Sequence, residues 1–274
     1  MVIKVAAAQT VVSADISENG KAIRNMIRTA AAEGVRLVLF CEGALSGYCK
    51  KQIKSPLDWR EFDWDRVEQE ICEIAETCRE CEIFAVVGSA YPVSRDKHPH
   101  NSLVVVSSEG RIAGRYHKRF LSNSEVNGWY TPGTDPFTFE VDGYSFGCAI
   151  CIEAAFPEVF SGYERTGVDV VLFASFEITP QFKLAIQAHA YQNCIWIVGS
   201  PPAQGANNSS AVIIDPNGDV TAKALCEDTN TIAISVLDRE DSAFEVALDR
   251  ARPWRSSARQ GDIYSKKIKA ISDY

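Results

Sequence analysis

Residues 144–174, Tyr-Ser-Phe-Gly-Cys-Ala-Ile-Cys-Ile-Glu-Ala-Ala-Phe-Pro-Glu-Val-Phe-Ser-Gly-Tyr-Glu-Arg-Thr-Gly-Val-Asp-Val-Val-Leu-Phe-Ala, decide the fold. Tyr144–Ile150 and Val168–Ala174 are short, predominantly apolar stretches, as expected of strands buried on both faces of a parallel sheet. Between them Phe156–Gly167 reads as a helix, so the stretch is a β-α-β unit. Working outward, Gln181–Asn193 is a second helix and Cys194–Ser200 a third strand. Asp215-Pro216-Asn217-Gly218 is then a turn between strands Ser209–Ile214 and Val220–Ala224. The same order occurs upstream. Residues 2–9 form a strand, and Ser17 caps a helix running to about Glu33, with Ala22, Ile23, Met26, Ile27 and Ala30 at helical spacing and Gly34 ending it. Val35–Phe40 is the next strand, 65–81 a helix with Val67, Ile71, Ile74, Ala75 and Cys78 on one side, and Ile83–Ser89 another strand. Asn101–Ser107 and Arg111–His117 flank Ser108-Glu109-Gly110 as a hairpin. Two halves with the same β-α-β-α-β-hairpin order imply one α/β domain with internal pseudo-two-fold symmetry, not a tandem pair. Two sheets packed face to face with helices outside both, a four-layer α-β-β-α sandwich, bury every one of these runs.

Composition limits the function. The chain has 274 residues, 46% hydrophobic and 23% charged, enough to bury a large core. No Pro/Gly/Ser linker or charge block divides it, so residues 1–274 are read as a single domain. The last residues, 240–274 with Arg250, Arg252, Arg255 and Arg259, are read together with Arg239 as an extended C-terminal arm that packs on a neighbouring subunit or remains solvated. The formal charge is −8 and no basic tract forms a phosphate-binding stripe, so a small-molecule partner is expected and nucleic acid is not. No apolar run reaches the ~20 residues that span a bilayer, so no membrane partner is expected. The opening Met-Val-Ile-Lys-Val-Ala-Ala-Ala-Gln-Thr reads as a buried strand rather than a signal peptide, which places the protein in the cytoplasm. Nine cysteines at irregular spacing do not form a disulfide framework. Two Cys-x-x-Cys pairs occur, Cys78/Cys81 and Cys148/Cys151, but neither has a second pair at finger-like spacing, so no metal is expected.

Three polar residues end apolar strands where something easier to bury would have served: Glu42 after Val-Leu-Phe-Cys, Lys118 after the hairpin, and Cys151 after Gly-Cys-Ala-Ile. Each has a bland explanation. Free cysteine is among the most buried residue types, Glu42 could be an ordinary strand-end carboxylate, and Lys118, beside His117 and Arg119, a solvated lysine. A reactive thiol needs a positive neighbour or a helix N-terminus, and both are on offer for Cys151.

The chain resembles the nitrilase superfamily, the carbon–nitrogen hydrolases, and its amidase-like branch in particular. The first motif is resembled by Leu39-Phe40-Cys41-Glu42-Gly43-Ala44-Leu45-Ser46-Gly47-Tyr48. The second is at Gly114-Arg115-Tyr116-His117-Lys118-Arg119-Phe120-Leu121. The third is at Gly147-Cys148-Ala149-Ile150-Cys151-Ile152-Glu153-Ala154-Ala155-Phe156-Pro157-Glu158. Further echoes are Glu125 with Pro132-Gly133, and Gln187–Asn193. The resemblance implies Cys151 as nucleophile, Glu42 as proton acceptor, and Lys118 with the backbone N–H of Ile152 facing the oxyanion. It also implies Glu125 as the residue that holds lysine and substrate. Tyr48, Phe176 and Trp129 are candidate pocket walls from their position near the motifs. No cofactor is implied, and a homodimer or higher homo-oligomer is.

The implied reaction is hydrolysis of a small carboxamide or N-carbamoyl compound through a cysteine thioester, releasing ammonia or amine. The sequence departs from the amidase pattern at Cys41, where proline is common, at Ile152, and at Glu153, where Asp is usual and true nitrilases carry Glu; Phe156-Pro157-Glu158 follows the amidases. Nitrile hydrolysis by the same Glu-Lys-Cys site is therefore the alternative within this chemistry. A catalytically silent binding protein, and a thiol redox protein using Cys148 and Cys151, are the alternatives outside it.

Overall fold

A computed structural model describes residues 2–94, 97–204, 209–225, 229–261 and 263–265. Its first half contains β1 (Val2–Gln9), α1 (Ile16–Ala32), β2 (Leu37–Leu39), α2 (Trp64–Cys81), β3 (Phe84–Tyr91), β4 (His100–Val106) and β5 (Ile112–His117). A short α3 (Asn123–Val126) and β6 (Thr138–Val141) connect it to the second half. There follow β7 (Tyr144–Ile150), α4 (Pro157–Arg165), β8 (Val170–Ala174), α5 (Pro180–Asn193), β9 (Trp196–Ser200), β10 (Val212–Ile214), β11 (Val220–Lys223), β12 (Thr231–Asp238) and α6 (Arg252–Arg259).

The strands make two six-stranded sheets, ordered β12-β1-β2-β3-β4-β5 and β11-β10-β9-β8-β7-β6. In each, three strands are parallel and the following hairpin is antiparallel. The side chains explain the layering. Ile3, Val5, Ala7, Leu37 and Leu39 from one sheet meet Tyr144, Phe146, Cys148, Ile150 and Leu172 from the other. The alternate residues Ala6, Ala8, Val38 and Phe40 pack against Ile23, Ile27 and Ile74 of α1 and α2. Likewise Ala149, Val171 and Phe173 pack against Phe160 and Ile186 of α4 and α5. A strand buried on both faces must be apolar at every position, which is why these strands read as continuous runs. The result is the expected α-β-β-α sandwich.

The sequence reading did not find β6 and β12, which complete the two-fold relation. Each follows the hairpin of one half, crosses to the other sheet, and pairs antiparallel with that sheet's first parallel strand, β6 with β7 and β12 with β1. They are edge strands with one face only partly covered, so their apolar signal is weak. Two local expectations are corrected. Helix α1 is capped by Asp15, whose carboxylate accepts the N–H groups of Ser17 (2.8 Å) and Glu18 (3.2 Å), and Ser17 is already inside it. Residues 242–259 are helical rather than extended, as a 3-10 turn, a π-helical segment and α6. They lie on their own chain. Arg252 donates to the Val168 carbonyl (2.7 Å), Arg255 to that of Tyr191 (2.6 Å), and Arg259 to Glu164 (2.8 Å) and the Gln192 carbonyl (2.8 Å). Cationic side chains at carbonyls that end helices and turns satisfy groups an extended arm would leave to water. Residues 266–274 lie outside the described residues.

Candidate active site

The candidate residues converge because β2, β5, β7 and β8 all end at the same side of the sandwich, where open α/β sheets place their ligands. Glu42 lies in the turn after β2. Gly43 takes φ 66° and Leu45 N–H donates to the Gly88 carbonyl at 2.9 Å. That close approach requires Gly88, since a Cβ there would lie 2.0 Å from the Cys41 carbonyl oxygen and 2.8 Å from the Gly43 nitrogen. Lys118 directly follows β5. Its N–H donates to the Asn101 carbonyl and its own carbonyl accepts from Gly133 N–H, both at 2.8 Å. Glu125 sits in α3 under a Ser122 cap, with Ser122 N–H donating to its Oε2 at 2.8 Å.

Cys151 follows β7 at a strand-to-helix turn with φ 51°. A residue with a Cβ in the left-handed region is uncommon, and such strain concentrates at functional sites. A 3-10 turn, Cys151–Ala155, begins there. The N–H of Ile152 therefore lies in a first helical turn, where backbone donors have no partner within the helix.

The ammonium of Lys118 donates to Glu42 Oε1 at 2.9 Å and to both oxygens of Glu125, at 2.8 and 2.9 Å. All three side chains are buried. Asn101 Nδ2 links the two carboxylates, 2.7 Å from Glu42 Oε1 and 3.3 Å from Glu125 Oε1. Glu42 Oε2 accepts the backbone N–H of Phe176 at 2.9 Å. Burial works against the ammonium, but Glu42, Cys151 and Glu125 more than offset it and hold Lys118 above its ordinary value.

The two carboxylates diverge. Burial raises Glu42, with Lys118 opposing and Glu125 adding; burial also pushes Glu125 up, but Lys118 and the Ser122 cap prevail and lower it. One is suited to remain a counter-ion and the other to exchange a proton. Burial likewise pushes the Cys151 thiol up to about 12, with Glu42 adding and Lys118 and a hydrogen bond with Ser175 opposing. The thiol is neutral at rest and needs a base before it can attack.

Tyr48 and Phe176 stack at 4.7 Å, and the Tyr48 hydroxyl donates to Glu125 Oε1 at 3.3 Å. Phe176 also lines an open cavity of about 470 Å³ with Lys50, Lys51, Lys54, Glu177 and Gln204. Trp129 is buried in a separate aromatic cluster with Trp59 and Tyr130, onto which Tyr48 packs. Cys148 points into the core between the sheets. Among the described residues no group of three or more His, Cys, Asp or Glu side chains could hold a metal ion, and no helix is long and apolar enough to cross a membrane.

A family model described as carbon-nitrogen hydrolase matches residues 4–244. The chain belongs to the carbon–nitrogen hydrolase family. It is thus an enzyme class acting on non-peptide C–N bonds, as the resemblance to the nitrilase superfamily implied. This hydrolase is 24% identical over 242 residues to Omega-amidase NIT2 of Homo sapiens, covering 82% of this chain and 85% of the relative. A probable nitrilase of Schizosaccharomyces pombe is 28% identical over 182 residues, 62% of this chain and 63% of the relative. In fold it is similar to the amidase from Nesterenkonia sp. AN1, with TM-score 0.75 and 18% identity over 92% of this chain and 96% of that one. That structure is of a variant carrying the acetamide moiety of fluoroacetamide covalently on its active-site cysteine.

The structure of the hydrolase brings together Glu42, Lys118, Glu125, Tyr48 and Phe176 by direct contact, with the Cys151 thiol influenced by the charges of Glu42, Lys118 and Glu125. Phe176 contributes its backbone N–H as well as its ring. Sequence reasoning missed Asn101 and Ser175. Both sit at strand ends as the other site residues do: Asn101 is the second residue of β4 and Ser175 directly follows β8.

Proposed function

We propose that this hydrolase is an amidase that cleaves small carboxamides, or N-carbamoyl compounds, through a thioester on Cys151. Glu42 takes the thiol proton as Sγ attacks the carbonyl carbon, and the oxyanion forms against the Lys118 ammonium and the Ile152 N–H. The C–N bond then breaks and Glu42 returns the proton to the departing nitrogen. Water, losing a proton to Glu42, attacks the thioester; the C–S bond breaks, the acid leaves and the sulfur regains its proton. Glu125 keeps Lys118 charged and in place throughout.

The observation that carries the reading is the buried Glu42–Lys118–Glu125 cluster beside a thiol held on a left-handed turn. A buried lysine between two carboxylates is expensive to assemble for stability alone. The relatives named omega-amidase and amidase support amides as substrates. Glu153, the residue shared with true nitrilases, has its carboxylate taken up by Tyr116 and three backbone N–H groups, which supports reading it as a structural group rather than a mark of nitrile chemistry.

The test incubates the protein with amides, ureido acids and nitriles while measuring ammonia, with mass spectrometry of the quenched enzyme. Ammonia from amides with an acyl adduct on the Cys151 peptide supports the reading; turnover of nitriles alone overturns it. A reducing cytoplasmic setting is proposed too, supported by the eight described cysteines all being unpaired. A homodimer is also proposed, and size-exclusion chromatography at low concentration tests it.

A further inference from the structure

Glu153 lies in the 3-10 turn after Cys151, is fully buried, and belongs to none of the reacting groups. Its Oε2 accepts the N–H of Ile150, the residue before the nucleophile, at 2.7 Å. Its Oε1 accepts the N–H groups of Arg119 at 2.9 Å and Phe120 at 3.1 Å, the two residues after Lys118. The Tyr116 hydroxyl, two residues before Lys118, reaches both oxygens at 2.7 and 2.8 Å. One carboxylate thus grips both sides of the lysine on one sheet and the end of β7 on the other.

Few other polar groups could do this. Backbone N–H groups just beyond β5 and at the end of β7 belong to different sheets, and without Glu153 the buried donor of Ile150 and the half-buried donors of Arg119 and Phe120 would lose the acceptor they share. We propose that Glu153 is the positioning residue that fixes the distance between the Cys151 sulfur and the Lys118 ammonium. The inference rests on the amidase reading of the same site and assigns that site the brace that aligns its two halves. It accounts for a glutamate in this place: the demand is for reach across the sheets, and substrate does not enter into it.

The test compares wild type with Glu153→Gln and Tyr116→Phe on the amide that the wild type turns over best. Rates are normalised to the fraction of Cys151 that iodoacetamide labels. Gln keeps the volume but presents an NH₂ to the Ile150 or Arg119 N–H. A displacement of about 1 Å in a catalytic group costs on the order of 10²-fold in rate, so kcat per labelled site should fall by about that factor with KM nearly unchanged. Because a Lys118 held less closely protects the Glu42 carboxylate less, the acid limb of the pH profile should move upward. Tyr116→Phe, which leaves the backbone grips intact, should lose on the order of tenfold, the worth of one hydrogen bond to a charged acceptor.

If both variants melt earlier yet match wild-type kcat per labelled site with the same acid limb, Glu153 is a stability residue and the proposal is wrong. If Glu153→Gln does not fold, Tyr116→Phe decides alone by the same readout. Failure of the amidase reading is visible separately, as a wild type with no amide turnover and no acyl adduct on Cys151.

Discussion

Replacing Lys118 by Met keeps the length of the side chain and removes its charge. Each contact at 2.8–2.9 Å between the ammonium and a carboxylate oxygen is about 6 kcal/mol of Coulomb attraction at an effective dielectric of about 20. Most of that is offset by the cost of burying the ions, and removing one partner of such a buried cluster typically costs about 3–5 kcal/mol. Glu42 and Glu125 are then left facing each other across Asn101. Lys118 is the main influence that lowers both carboxyls, so in the variant both rise, Glu42 from a value already above its ordinary one. A folded pKa above the unfolded one gives stability that is present below the unfolded value and lost as pH rises through the folded one.

In the wild type Glu125 behaves oppositely, stabilising above 4.5 and losing that contribution as pH falls through its lowered pKa. The deficit of Lys118→Met relative to wild type must therefore widen from pH 5 to pH 8, reaching about 3–5 kcal/mol, or roughly a 10 °C loss in Tm for a chain of this size. Differential scanning calorimetry at both pH values measures it. A deficit below about 1 kcal/mol at pH 8, or one equal at the two pH values, refutes the reasoning.

Four further outcomes are expected. Amide turnover should show an acid limb above the ordinary carboxylate range, because burial raises Glu42 and the base must be ionised to act; a limb at or below 4.5 in a kcat/KM pH profile contradicts this. Cys148→Ala should retain most activity and lose about 1 kcal/mol of stability by truncation in the inter-sheet core, whereas Cys151→Ala should lose turnover with its Tm kept; equal loss in both would restore the redox reading. Gly88→Ala should lower both Tm and activity, since the new Cβ meets backbone of the Glu42 turn that cannot move aside, and an unchanged kcat would show that the turn is looser than drawn. With Lys50, Lys51 and Lys54 around the cavity beside Phe176, the monoamide of a dicarboxylic acid should have a lower KM than the neutral amide of equal length at low salt, the difference shrinking as salt screens it; equal KM values would remove these lysines from substrate binding.

The amino-acid sequence by itself determined the alternation of strands and helices, because burial on both faces demands continuous apolar runs such as Leu37–Phe40 and Val170–Ala174, and helices with one buried side show their spacing whatever surrounds them. It also offered Glu42, Lys118 and Cys151 as candidates, each with a bland explanation when taken singly, and the resemblance of the segments around them to three family motifs set them apart. The tertiary structure alone decided how β6 and β12 exchange between sheets, because an edge strand's half-covered face carries little pattern. It decided that 242–259 folds back as helix, through arginines whose carbonyl acceptors lie far away in the chain. Most of all it decided what Asn101 and Glu153 do, for a hydrogen bond between residues 59 or 34 positions apart is set by three-dimensional proximity, and no local preference of either residue announces it.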